Sequence, residues 1–189
     1  MSEDPLFRAL MHPYGLEVTS VGELGLPEPA ETGTTFVDNA LIKAQAALDA
    51  TGLPALADDS GLCVEALGGA PGVYTADWAG PGRNWDVAMQ RVQDELMAKG
   101  ASGTAERRGT FVSVLVVVWP DGHREIFEGR ADGTLVWPPR GHRGHGYDPM
   151  FQPDGSDVTF AEMPEARKNE ISHRARSFGQ FAAACLVRG

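Results

Sequence analysis

Residues 55–80 read ALADDSGLCVEALGGAPGVYTADWAG, and the rest of the chain is placed around this stretch. A short apolar run gives way to two adjacent acids, Asp58 and Asp59, then to Ser60 and Gly61, and LCVEAL resumes an apolar alternation. The pattern predicts strand, acidic turn, strand, which puts carboxylates at a sheet end, where open α/β sheets keep their sites. The loop GGAPG that follows lets backbone come close to a ligand, because glycine carries no Cβ.

Upstream, PLFRALMHPYG at 5–15 predicts a short helix stopped by Pro13 and Gly15, and LEVTSV at 16–21 alternates as a strand does. A connector rich in Pro, Glu and Gly leads to TTFVDNALIKAQAALDATG. There Phe36, Ala40, Ala44, Ala47 and Leu48 recur at helical spacing, with Thr35 placed to cap and Gly52 to stop the helix. Downstream, NWDVAMQRVQDELMAKG at 84–100 predicts an amphipathic helix ending at Gly100. GTFVSVLVVVWPDGHREIFEGR reads as a hairpin turning at Pro120–Asp121–Gly122, and GTLVW at 133–137 as a further strand. The loop PPRGHRGHGYDPMF at 138–151 is of the kind that carries function on a rigid scaffold. From Ile171 onward a final helix is predicted, with Ile171, Ala175, Phe178, Ala182 and Cys185 on one face.

At 189 residues the chain suits one large domain or a two-lobed one with a real core, and 42% hydrophobic content marks a globular protein. A net charge of −10 speaks against a nucleic-acid polymer as partner, but not against a nucleotide that arrives with a divalent cation. Cys63 and Cys185 form neither a disulfide framework nor a zinc spacing, which fits a reducing cytoplasm. The N-terminus has Glu3, Asp4 and Arg8 and no apolar core of a signal peptide. VSVLVVVW at 112–119 is too short to span a membrane as a helix and reads as a buried strand.

Three clusters carry chemistry. Asp58–Asp59 suit a divalent metal bound through hard oxygens, or a solvated cap. Asp38, three residues after Thr35, either completes a weak capping box or supplies a second metal ligand. Lys43 falls near the face of Asn39, where spacing alone reads it as a snorkelling surface lysine. His145, Tyr147 and Asp148 in GHGYDP either stack on and read a base or form a rigid turn held by Pro149. Lys168, His173 and Arg174 make either a phosphate site at the start of the last helix or a basic surface patch. GxxxxGK[ST] and GxGxxG are both absent.

In order along the chain, TTFVDNALIKA, ALADDSGLCVEALGGAPGVY, GHGYDPMF, TFAEM and KNEISHRA resemble the ITP/XTP pyrophosphatase family over roughly residues 14–187. The resemblance implies a single domain over 1–189: an elongated α/β fold with a mixed β-sheet, flanking helices and two lobes around a central active-site cleft. It implies a homodimer that uses Mg²⁺ to hydrolyse non-standard purine nucleoside triphosphates to monophosphate and pyrophosphate. Asp59 matches the family's proton acceptor and metal ligand, Asp38 its second metal ligand, and Ser60 a substrate contact. His145, Gly146, Tyr147 and Asp148 match the base-binding segment, and Lys168, His173 and Arg174 match contacts to base and phosphates.

The sequence also departs from the pattern. Asp38 stands where Glu is commoner, His145 where Phe is usual, and Asp77 where an Arg is common. The family's opening strand and its Ser/Thr-x-Asn-x-x-Lys loop have no counterpart before residue 15: either this chain starts downstream of the natural start, or the protein has lost one strand and one phosphate contact. Two expectations therefore stand side by side: an active Mg²⁺-dependent pyrophosphatase, and a catalytically impaired nucleotide-binding or structural homologue.

Overall fold

The computed structural model describes Arg8 and residues 11–186. Four strands follow one another as β1 (Ala55–Val64), β2 (Arg108–Val118), β3 (Arg124–Leu135) and β4 (Phe151–Pro153). They lie in the sheet in chain order, and each pairing is antiparallel, so of the expected mixed sheet the described residues hold the antiparallel part. The helices are α1 (Phe36–Thr51), α2 (Trp85–Ala98), α3 (Glu165–Ile171) and α4 (His173–Cys185). This is the α/β class read from the sequence. No helix among the described residues is long and apolar enough to cross a membrane.

The deciding stretch folds differently from its reading. Asp58, Asp59, Ser60 and Gly61 do not turn; they run through the middle of β1, opposite Leu115, Val114, Ser113 and Val112 of β2. Continuous pairing with an apolar partner strand overrides the turn preference of the DDSG tetrapeptide, as tertiary context commonly overrides strand propensity. Gly61 serves close approach instead: a Cβ there would sit 2.5 Å from both the Gly72 carbonyl oxygen and Thr75 Oγ1.

Side chains alternate across a strand, so each face of β1 receives every second residue. On one face α1 packs Ala40 and Ala44 against Ala55 of β1 and Val112, Val114 and Val116 of β2. On the other, α4 packs Phe178 and Phe181 against Leu115, Val117 and Phe127, with Leu56 at the margin. Leu62 and Val64, both fully buried, join α2 and the aromatics Phe151 and Phe160 in a third cluster. Burying each such side chain contributes about 1.5–3 kcal/mol.

The helix signals in the sequence act as caps. Thr35 accepts from the Asp38 amide and Gly52 closes α1 at φ 68°, while Asn84 accepts from the Asp86 and Val87 amides to start α2. The hairpin turns at residues 119–123 as expected, with Trp119 N–H donating to the His123 carbonyl at 2.9 Å. Three boundaries differ. Residues 16–21 form no strand, because their alternation finds no partner, and Leu16 and Val21 stay exposed. GTLVW adds no new strand; Gly133–Leu135 are the end of β3. The last helix starts at His173, not Ile171, because Ser172 breaks from α3 and caps α4 by accepting from the Ala175 amide. Of the helix read at 5–15, residues 5–7, 9 and 10 lie outside the described residues; Arg8 and Met11 are helical, and the segment ends in a 3₁₀ turn, His12–Tyr14, closed by Gly15.

Candidate active site

The adjacent acids Asp58 and Asp59 point to opposite faces of β1. Asp59 faces α1, where Lys43 reaches it with Nζ 3.2 Å from Oδ1. The same ammonium lies 3.4 Å from Glu31 Oε1, so Lys43 is a bridge between two carboxylates and not the surface lysine that spacing suggested. Burial pushes the Asp59 carboxyl above its ordinary value; Lys43 opposes the rise, Glu31 adds to it, and the Asn39 side chain opposes it. Asn39 is itself buried and accepts from the Gly33 amide at 2.8 Å, which fixes the chain over the start of α1. Asp38 sits in the first turn of α1 with an exposed side chain, and its amide is taken by the Thr35 cap.

On the opposite face, Asp58 and Ser60 meet α4. Arg174 Nη2 lies 3.2 Å from Ser60 Oγ and 3.4 Å from Asp58 Oδ2. His173, one residue earlier, is buried and stacks on Phe111 with ring centroids 4.9 Å apart and planes inclined by 12°. Burial holds its imidazole well below the usual value, and the cations of Arg174 and Lys168 act in the same direction, so the ring is neutral near pH 7. Gly129 of β3 makes this docking possible: a Cβ there would stand 2.0 Å from the His173 carbonyl oxygen.

The 144–148 loop is built around Asp148. Its buried carboxylate accepts from the His145 amide at 2.7 Å and forms an ion pair with Lys168 Nζ. Gly144 is required beside it, at φ 76° and with space for no Cβ. Tyr147 is buried, donates through its hydroxyl to the Thr75 carbonyl at 3.1 Å, and has its phenol pushed up by burial, with Arg91 opposing. His145 stays exposed; desolvation lowers its imidazole pKa, Asp148 opposes this, and Arg174, Lys168 and Arg83 add to the lowering.

The structure therefore gathers Ser60, Arg174, His173, Lys168, Asp148 and His145 about the start of α4, and sets Asp59 with Lys43 and α1 across the strand. Asp148 and Tyr147 are spent on internal bonds, while Gly146 lies against Trp85. Asp77, which stands where an Arg is common, is exposed on a 3₁₀ turn. Sequence reading did not find Glu31, which has no spacing signal, or Trp85, which looked like an ordinary first residue of a helix. Among the described residues, the buried side-chain nitrogen and oxygen atoms without a hydrogen-bond partner are Asp59 Oδ2, His173 Nδ1 and Arg174 Nε. All three belong to residues singled out from the sequence.

The model of the Ham1 family matches residues 3–184. The chain belongs to the Ham1 family. A dITP/XTP pyrophosphatase from Zymomonas mobilis is 56% identical over 179 residues, which cover 95% of this chain and 85% of that protein. One from Ruegeria pomeroyi is 58% identical over 179 residues, covering 94% of this chain and 87% of its own length. Among solved structures, a HAM1 protein from Coxiella burnetii superposes with a TM-score of 0.87 at 35% identity, covering 97% of this chain and 94% of that one. The Ham1 likeness thus extends over β1 and α4, the elements that hold the unsatisfied polar atoms.

Proposed function

We propose that this Ham1-family protein hydrolyses non-standard purine nucleoside triphosphates, dITP, ITP and XTP, to the monophosphate and pyrophosphate. The observation that carries the reading is the set of three unsatisfied buried atoms on Asp59, His173 and Arg174. An unpaired buried polar group costs about 1–3 kcal/mol, a cost that a ligand at the same atoms offsets. Similarity above 50% to relatives named dITP/XTP pyrophosphatase supports the substrate class and does not favour a non-catalytic homologue.

The donor set suits Mg²⁺. Asp59 Oδ2 is a carboxylate oxygen without a protein partner, and Asp38 offers a second, exposed carboxylate. Among the described residues no group of three or more His, Cys, Asp or Glu forms a closed metal cage. That is how Mg²⁺ is usually held, by one or two carboxylates together with substrate phosphates. A bound Mg²⁺ offsets charge on the phosphates and the leaving pyrophosphate.

Asp59 accepts the proton of a water whose oxygen attacks the α-phosphorus. The bridging P–O bond between the α- and β-phosphates breaks, and pyrophosphate leaves with the electron pair. Burial raises the basicity of the Asp59 carboxylate, the direction such a base needs. Because β1 is an edge strand of the described sheet, substrate reaching both Asp59 and the Ser60–Arg174 side crosses that edge. Ser60 and Arg174 orient the nucleotide there, with His145 and Gly146 beside the base. Lys168 holds Asp148 and so fixes the base loop, and its charge also faces the site. The protein acts as a homodimer in the cytoplasm and removes deaminated purines from the nucleotide pool; neither a nucleic-acid polymer nor a membrane is its partner.

Selectivity against adenine follows from a donor aimed at the 6-oxo group, since adenine's amino group there leaves that donor unpaired. Arg174 is the candidate donor. Pyrophosphate release from dITP, ITP, XTP, GTP and ATP with Mg²⁺ tests both points. Fast release from the first three is expected, and Arg174→Ala should shrink the ITP/ATP ratio by roughly one to two decades. No release from any nucleotide by the folded protein rules out the activity, and an unchanged ratio removes Arg174 as the donor.

A further inference from the structure

Trp85 stands outside every motif read from the sequence, yet it packs against three consecutive residues of the base loop. Its ring centroid is 4.9 Å from that of His145, with the planes inclined by 74°. It is 5.7 Å from that of Tyr147, at 68°. Between them, a Cβ placed on Gly146 would lie 3.8 Å from the Trp85 ring atoms Cε3 and Cζ3. Edge-to-face aromatic pairs of this kind have a preferred geometry, so the indole fixes where the two flanking rings stand.

The turn that delivers Trp85 is itself constrained. Arg83 is the one non-glycine residue with positive φ, at 50°, among the described residues. Its amide donates to the Gly80 carbonyl at 3.0 Å, and the Asn84 amide to the Ala79 carbonyl at 2.9 Å, before the Asn84 side chain caps α2. A residue held in a sparsely populated backbone region commonly marks a functional site. Here the unfavourable turn is what puts Trp85, the first residue of α2, against the loop.

We propose that Trp85 is a positioning residue for purine recognition: its indole sets the stance of the His145 ring and the 145–147 backbone that meet the base. The role rests on the pyrophosphatase reading of the site. Tyr147 is anchored a second time by its hydroxyl on Thr75, and the Asp148 carboxylate is anchored by Lys168. The exposed His145 side chain has Trp85 as its aromatic neighbour among the described residues, so it is the group whose position depends on the indole most. The charged groups around it are Asp148, Arg174, Lys168 and Arg83.

The test compares Trp85→Ala and Trp85→Phe with the unaltered protein. In steady-state kinetics with ITP, Trp85→Ala should raise KM roughly three- to tenfold, the equivalent of one lost aromatic pair, with kcat changed by less than about twofold. Trp85→Phe should recover most of the loss. A purely structural role would instead lower kcat through a smaller folded fraction and leave KM alone; that result overturns the proposal. A second readout needs no turnover: the NMR titration of the His145 ring, assigned with His145→Asn. Partial desolvation lowers this exposed imidazole, so losing the indole that covers one side of it should move its midpoint to higher pH while His173 stays put. If the unaltered protein releases no pyrophosphate, the pyrophosphatase reading fails, and the His145 titration still decides whether Trp85 sets that ring. An unchanged titration overturns the role.

Discussion

The two faces of β1 are made by one ten-residue strand and do opposite things. On the α1 face, Asp59 is 12% exposed, is bonded through one oxygen to Lys43, and has its other oxygen unpaired. On the α4 face, Asp58 is 27% exposed and forms a longer contact to an arginine that also touches Ser60. The neighbours differ by one position in sequence and by the thickness of a sheet in space. Period-2 alternation thus sorts the proposed base from the proposed orienting group without any loop, and a helix on each side supplies a cation.

The comparison can be broken most severely on the α4 side. Gly129→Ala puts a methyl group where the His173 carbonyl oxygen and the Ser177 amide already stand, at 2.0 and 2.4 Å. The helix has to move off the sheet, at a cost of about 3 kcal/mol or more. Thermal denaturation should show Tm lower by roughly 10 °C, and KM should rise as Arg174 leaves Ser60. An unchanged Tm would mean that α4 is not seated on that glycine.

A smaller effect sharpens the α1 side. Lys43→Met removes the cation that opposes burial at Asp59 and leaves Glu31 to repel it. A carboxyl raised further stays protonated to higher pH, and a protonated Asp59 accepts no proton from water. The acid limb of kcat/KM should therefore move to higher pH, with rates on the alkaline side changed by less than about tenfold. A limb that stays in place would separate Lys43 from the titration of Asp59.

Much of this arrangement was legible from residues. Thr35 and Gly52 act at the helix ends where their chemistry put them, and the hairpin turns about Pro120–Asp121–Gly122. The candidate site residues were found through their motifs, including all three that hold unsatisfied buried atoms. What could not be read depends on partners distant in sequence. DDSG looks like a turn until β2 supplies a ladder for it, and residues 16–21 look like a strand until no ladder comes. Lys43 looks like a surface residue until β1 places Asp59 beside it, and Trp85 looks like an ordinary first residue of a helix until the 145–147 loop folds onto it. The break at Ser172 was missed although its cause is local: serine is a common N-cap, and here its side chain accepts from the Ala175 amide.

The division of labour across β1 is tested most directly by measuring pyrophosphate release from ITP with Asp59→Asn and Asp58→Asn side by side. Removing the base should cost about 10²- to 10⁴-fold in kcat. Removing the partly exposed partner of Arg174 should cost no more than about tenfold, in line with the small contribution of such ion pairs. Equal losses from the two variants, or the larger loss from Asp58→Asn, would contradict the assignment of the base to the α1 face.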